Sequence, residues 1–393
     1  MNTHAVRHFG IRIAAILLSL LLLCGCWNRR ELDTMSIVLG CGIDKGEKPG
    51  EINLICQIEK PSPAGGEGGA GAPAAKFLNV VNKGTDVFTI LRDCNSQLGR
   101  KLYFPHNQVL IFGEDFAKEG IRKQLDFFLR DPETRMTVMV FVAMGKASEA
   151  MNQPTVMEGA PVIDIVNMLQ SQENTSEAPQ IEVLDLLTAL ISPTTSAVAP
   201  LVSIEKDGDK TKSVVAGTGI FKGDKLVSAL NGVETRGFLW VKGKVKSGII
   251  NFPFMDGDVS LEIIKAKSKV KPILLPDGTP MVKVEVTETS NLGAQNSMID
   301  MSSVEMMNML ENRSAEVIKS EILYTLQKTK VLGTDIYGFG DLFHQHYHKE
   351  WKAMEDKWKD LYRDLKVEVT VKTQLNATGK VTRPAYPPVQ KQG

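Results

Sequence analysis

The residues best placed to do chemistry stand near the N-terminus, where Cys24 and Cys26 sit two apart in "LLLCGCWNRRELD" (21–33) as an apolar run gives way to charge. The stretch before them has the features of a secretory leader. Arg7 and Arg12 make a basic start without an acid, and Ile13 to Leu23 is an apolar core broken only by Ser19. As a helix that core would rise about 17 Å, well short of a hydrocarbon slab of about 30 Å, so export and cleavage are expected instead of a permanent span. Gly25 before Cys26, with Leu23 three residues upstream of the cut, has the shape of a lipobox, whereas Cys24 follows Leu23 and fits badly. Cys26 is therefore expected to become the lipidated first residue, with an S-diacylglycerol group on its sulfur and an N-palmitoyl chain on its amine. Two or more acyl chains, at about 0.8 kcal/mol per buried methylene, hold a chain stably on a membrane.

The rest of the catalytic inventory is thin. The sequence has no G-x-S-x-G elbow, no H-E-x-x-H and no C-x-x-C pair. The Gly-rich stretch 61–75 ends in Lys76-Phe77, not the G-K-[ST] of a phosphate loop, and "GTGIFKG" (217–223) lies between strands instead of opening a helix. His344, His346 and His348 in "HQHYH" form the one metal-like cluster. On a helix His344 and His348 would share a face with His346 opposite, and no further ligand is evident, so a solvated helix face is the expectation and no metal site is assigned. His106, after Pro105, reads as a packed or capping residue. No catalytic residue and no cofactor follow from this inventory.

Asp126, Arg130, Glu133 and Arg135 lie around the end of an amphipathic helix and the entry to an apolar strand. Four charges beside a core are costly unless paired, so they are expected to form a structural ion-pair cluster, with a docking surface for a partner as the functional alternative. Cys41 and Cys56 fall in two strand-like runs joined by "KGEKPG". If those strands pair the thiols can meet, and an exported setting permits a disulfide, while the favoured reading is that both are small buried hydrophobes.

The elements that must position these residues alternate. Helix is expected over 85–98 and over 115–129, the latter with Ile121, Leu125, Phe128 and Leu129 on one face. "NQVLIFGE" and "MTVMVFVAM" read as strands, the second covered on both faces. "ISPTTSAVAP" marks a boundary near residue 200. A β-rich stretch with a helical patch through Trp240 follows, then a hairpin with Val282, Val284 and Val286 facing in. Next come a helix from 303 to about 330 with Leu310, Ile318, Ile322 and Leu326 buried, a helix through Trp351 and Trp358, and a closing strand. The expected class is α/β (α+β) in three successive domains, each with a mixed sheet and packed helices. The boundaries are a leader 1–25, an N-terminal domain 26–200 with a flexible loop 61–75, a β-rich middle domain 201–265, a C-terminal domain 266–378 and a disordered tail 379–393.

The 46 basic residues balance the 46 acidic ones, and removal of the leader, which carries two arginines, leaves 44 against 46, or −2. Such a chain has no electrostatic footprint for nucleic acid, and no long basic run that would fix it to anionic lipid. With 43% apolar residues it can bury two or three cores.

Several blocks resemble one family. "CWNRRELDTMSIVLGCGIDK" looks like the start of the Ger(x)C family, the lipoprotein C subunits of spore germinant receptors. "LGRKLYFPHNQVLIFGEDFAKEGIRKQLDFFLRDPETRMTVMVFVAMGKASE", "GTGIFKGDKLVSALNGVETRGFLWVKGKVKSGII" and "DIYGFGDLFHQHYHKEWKAMEDKWKDLYRDLKVEVTVKTQLNATGKV" are similar to its later blocks, in order. The chain departs from the family pattern at the 61–75 loop and at the histidine cluster. The resemblance implies a non-enzymatic subunit of three α/β domains, anchored on the outer surface of the inner spore membrane beside integral A-type and B-type subunits. The rival classes are a solute-binding lipoprotein of a transporter and an exported hydrolase. The first calls for two similar lobes around a cleft, the second for a nucleophile with its base.

Overall fold

The computed structural model describes residues 34–60, 76–155, 157–297, 299, 301 and 303–377, together with His8, Phe9 and Arg12. The 61–75 loop, the tail after 377 and nearly all of residues 1–33, Cys24 and Cys26 included, lie outside the described residues.

The chain opens with β1 (Met35–Lys45), β2 (Ile52–Glu59) and β3 (Phe77–Gly84), an antiparallel meander. α1 (Val87–Leu98) follows, its first turn capped by Asp86, whose carboxylate accepts from the Thr89 amide at 2.8 Å. Then come β4 (Lys101–Tyr103), β5 (Val109–Gly113), α2 (Glu114–Glu119), α3 (Arg122–Arg130), β6 (Met139–Ala143), α4 (Ala147–Ala150), α5 (Pro161–Ser171) and α6 (Val183–Ile191). The single helix expected over 115–129 is thus two. Gly120, at φ +130°, stands between them in a backbone region that side-chain-bearing residues rarely adopt, and Ile121 restarts the helix.

β7 (Val198–Asp207), β8 (Lys210–Lys222) and β9 (Lys225–Leu230) complete a nine-stranded mixed sheet of order β3-β2-β1-β5-β6-β7-β8-β9, with β4 beside β1. Its central β1, β5, β6 and β7 run parallel, and parallel strands are buried on both faces by their crossover helices. Every residue of β5 is accordingly buried. Leu110 and Phe112 face a core built with α1, α2, α3 and α6, while Val109 and Ile111 face a second core built with α4 and α5.

α7 (Gly232–Lys242) leads into β10 (Ile249–Phe254), β11 (Gly257–Leu274) and β12 (Pro280–Gln295). α8 (Val304–Leu332), α9 (Phe339–His346), α10 (His348–Trp351) and α11 (Trp358–Asp364) precede the last strand, β13 (Lys366–Ala377). The second sheet has order β10-β11-β12-β13, antiparallel except for the parallel β12/β13 pair. β12 alternates cleanly, with Val282, Val284 and Val286 buried as expected, and α8 covers that face with Leu310, Ile318, Ile322 and Leu326. The helix expected through Trp351 and Trp358 is broken at Tyr347 (φ −129°, ψ 54°) and again by a 3₁₀ turn at Glu355–Lys357.

The class is therefore mixed α+β, with two mixed sheets and helices packed on them. The strands within 201–265 divide between those sheets. β7 to β9 extend the first, because Leu201 and Val202 pair with Val142 and Ala143 of β6, and β11 runs through residue 265 without interruption.

Candidate docking site at the seam of the two sheets

The polar residues that converge in this chain lie where the two sheets meet. The Ser/Thr-rich stretch read as a boundary is tied down here. Hydroxyls of Ser192, Thr194 and Thr195 donate to the Asp341 carboxylate at 3.1, 2.9 and 2.6 Å. One turn of chain away, the fully buried Asp335 accepts from the amides of Tyr337 (3.2 Å), Gly338 (3.0 Å) and Gly340 (2.9 Å) and from Trp358 Nε1 (3.1 Å). Burial pushes its carboxyl above the ordinary range, and these donors pull it back down. Asp335 thereby shapes "TDIYGFG" into the turn that starts α9.

A second knot joins α7 to α8. Arg236 and Glu321, both buried, form a bidentate ion pair; Arg236 Nε lies 3.0 Å from Glu321 Oε2, and a second guanidinium nitrogen donates to Oε1. Trp240 Nε1 adds a 2.9 Å bond to the same carboxylate, and Arg236 Nη1 reaches the Ile249 carbonyl at 2.8 Å. Glu234 completes a capping box with Asn231 and accepts from Lys328 at 2.8 Å. The helices approach so closely that a Cβ on Gly237 would lie 2.3 Å from the Glu321 carbonyl oxygen. "NGVETRGFLW" is thus a helix-packing motif that fixes α7 on α8.

Between these knots lies a cleft of about 650 Å³ with Ile181, Val198, Phe238 and Leu239 on its apolar walls. Most of its charged groups are already engaged. Lys246 pairs with Glu173, Lys242 Nζ donates to the Tyr337 carbonyl at 3.2 Å, and Glu182 and Asp185 cap α6 reciprocally. Asp341 holds the seam.

The charges singled out around the helix end do not gather into one cluster. Arg130 and Asp126 pair at 2.7 Å as an exposed i,i+4 couple on α3, Glu133 pairs instead with Lys101, and Arg135 is exposed. The reason is geometric. α3 ends at Arg130, so the residues after it leave the helix and Glu133 meets the start of β4. His344 and His348 stack with ring centroids 5.0 Å apart and His344 lies 5.7 Å from Trp351, whereas His346 turns to the Leu342 carbonyl at 2.9 Å. Among the described residues no three His, Cys, Asp or Glu side chains gather as metal ligands. His106 is exposed beside Tyr103, so it is neither packed in the core nor a cap. Cys41 and Cys56 face each other across β1/β2 with Sγ atoms 3.9 Å apart, buried and free. The Cys41 contact and burial together push the Cys56 thiol well up.

Two family models match the chain and between them cover most of it. One, described as the spore germination protein N-terminal domain, matches residues 28–204; the other, described as spore germination B3/GerAC like, C-terminal, matches residues 216–379. The chain belongs to the GerAC family of spore germination proteins. Three GerAC-family relatives from Bacillus subtilis (strain 168) align nearly end to end. Spore germination protein KC is 27% identical over 94% of this chain and 96% of its own length. Spore germination proteins B3 and A3 are 23% and 25% identical, over 92% and 90% of this chain and 96% and 93% of theirs. The crystal structure of the GerBC protein shares the fold at a TM-score of 0.58 and 20% identity, covering 86% of this chain and 97% of that one. The GerAC C-terminal match begins within β8 and takes in both knots, Arg236–Glu321 and Asp335–Trp358. Sequence reasoning missed the knots because their partners lie 85 and 23 residues apart. The one local signal was the donor-rich "SPTTS", which needs an acceptor.

Proposed function

We propose that this chain is the membrane-anchored C subunit of a spore nutrient germinant receptor, a non-enzymatic lipoprotein that completes and holds the receptor complex. Its partners are the integral A-type and B-type subunits, and its place is the outer surface of the inner spore membrane, held through acyl chains on Cys26. The observation that carries this reading is the pair of germination-family matches running from residue 28, two residues past Cys26, to residue 379. Two further features support it. Most charged groups of the cleft at the seam already have partners within the fold, which suits a rigid scaffold. None of the described helices is long and apolar enough to cross a membrane, which is consistent with attachment through acyl chains on Cys26.

Mass spectrometry of the mature N-terminus tests the anchor. Cys26→Ala should release the chain from membranes or leave it unprocessed while Cys24→Ala is silent, and an unmodified Cys26 would overturn it. Deleting the protein should abolish the response to its germinant, yet the body from Trp27 onward should bind no amino acid or sugar germinant by calorimetry. Saturable one-to-one binding would favour the solute-binding class instead.

A further inference from the structure

The second sheet has one face in the core and one in solvent, and the solvent face is strongly basic. On β11, Lys265, Lys267, Lys269 and Lys271 alternate with core-facing residues, and all four are exposed. They sit opposite Thr289, Thr287, Glu285 and Lys283 of β12, and β13 continues the same rows with Lys366, Glu368 and Lys372. Over these three strands the face holds seven lysines against Glu285, Glu368 and, further along β11, Asp258 and Glu262, a net +3, on a chain whose formal charge is zero. Glu285 and Glu368 flank Lys283, within 3.5 and 3.9 Å, which leaves the β11 row free of the ion pairs that occupy Lys283. Alternate residues on a strand are about 7 Å apart and strands about 4.8 Å apart, so the β11 lysines, Lys283 and Lys366 each lie within about one Debye length, roughly 8 Å, of another lysine, and Lys372 stands about 10 Å from Lys267. They act as one charged surface.

We infer that this face docks on an anionic phospholipid bilayer. The composition selects that occupant over a protein. Protein interfaces centre on aromatic residues and arginine and are depleted in lysine, whereas this patch has no arginine and no aromatic side chain. A broad array of flexible ammonium groups with threonines between them suits a fluid plane of phosphates, to which each lysine adds about fivefold in partition. Docking would set the orientation of the body once it is tethered, so the inference rests on the anchored reading for its setting.

The test is lysine acylation footprinting of the full chain, reconstituted by detergent removal into vesicles of phosphatidylcholine alone or with phosphatidylglycerol, and read by mass spectrometry on the floating fraction. With phosphatidylglycerol, Lys265, Lys267, Lys269 and Lys271 should lose about fivefold in reactivity and regain it in 1 M salt, where the Debye length falls to about 3 Å. The exposed Lys48, in the turn between β1 and β2, and Lys210 and Lys212 of β8 should not change. Replacing the four β11 lysines by Gln should remove the salt-sensitive protection of Lys372. A chain that floats on both vesicles with no difference at β11, equal protection of the reference lysines, or protection that appears only with integral subunits present would overturn the inference and leave the anchor standing. Flotation on phosphatidylglycerol but not on phosphatidylcholine would support the face while failing the anchor. No flotation on either would fail both.

Discussion

Glu288 gives the sharpest stability prediction. It lies on the inward face of β12, only 2% exposed, and neither carboxylate oxygen has a hydrogen-bond partner. Burial pushes its carboxyl from 4.5 up to about 7, with nearby Ser290 opposing the shift and the Glu311 charge adding to it. Because the folded chain holds this proton more tightly than the unfolded one, the added stability is full below pH 4.5, falls as pH rises through 7, and is gone above it. A displacement of about two and a half pH units corresponds to about 3 kcal/mol. In a body of this size that is roughly 5 °C in Tm. Glu288→Gln keeps the shape and removes the charge. Thermal unfolding of both proteins from pH 4.5 to 8.5 should show curves that meet at the acid end and separate by about 5 °C at pH 8, with the Gln variant the more stable. Parallel curves across that range would refute the reasoning, because they would mean that Glu288 reaches water or a donor when it ionises.

Gly237→Ala should destabilise by about 2 to 3 kcal/mol, since its Cβ meets the α8 backbone at 2.3 Å; chemical denaturation reads this directly. Arg236→Ala should cost about 3 to 5 kcal/mol by leaving Glu321 buried and uncompensated, measured the same way. Asp341→Ala should free the 192–196 segment, seen as faster amide hydrogen exchange at Ser196, whose N–H donates to the Asp335 carbonyl at 2.8 Å. Arg130→Ala and Arg135→Ala should leave the melting temperature unchanged, because both side chains are exposed; a clear drop for either would show that the helix end is tied more firmly than its geometry implies.

Periodicity alone determined most of the local structure: the buried run of β5, the Val282, Val284 and Val286 row, and the Leu310–Leu326 stripe of α8 are each set by residues within one element, so they can be read without knowing any partner. The family, too, was legible, because its signature is carried by contiguous blocks. The sequence did not show where a helix breaks when the pattern continues, as at Gly120, nor which charge meets which. Glu133 lies near Arg130 in the chain but near Lys101 in space, and Arg236 finds Glu321 across 85 positions. Nor did a neutral composition reveal a face of +3. In "KAKSKVK" the lysines never run together, and it takes the two-residue period of β11 together with the registers of β12 and β13 to bring them onto one surface. Local pattern sets which side chains turn inward on an element. Only the packing of distant elements decides which charges are neutralised by a partner and which are left to act on the surroundings.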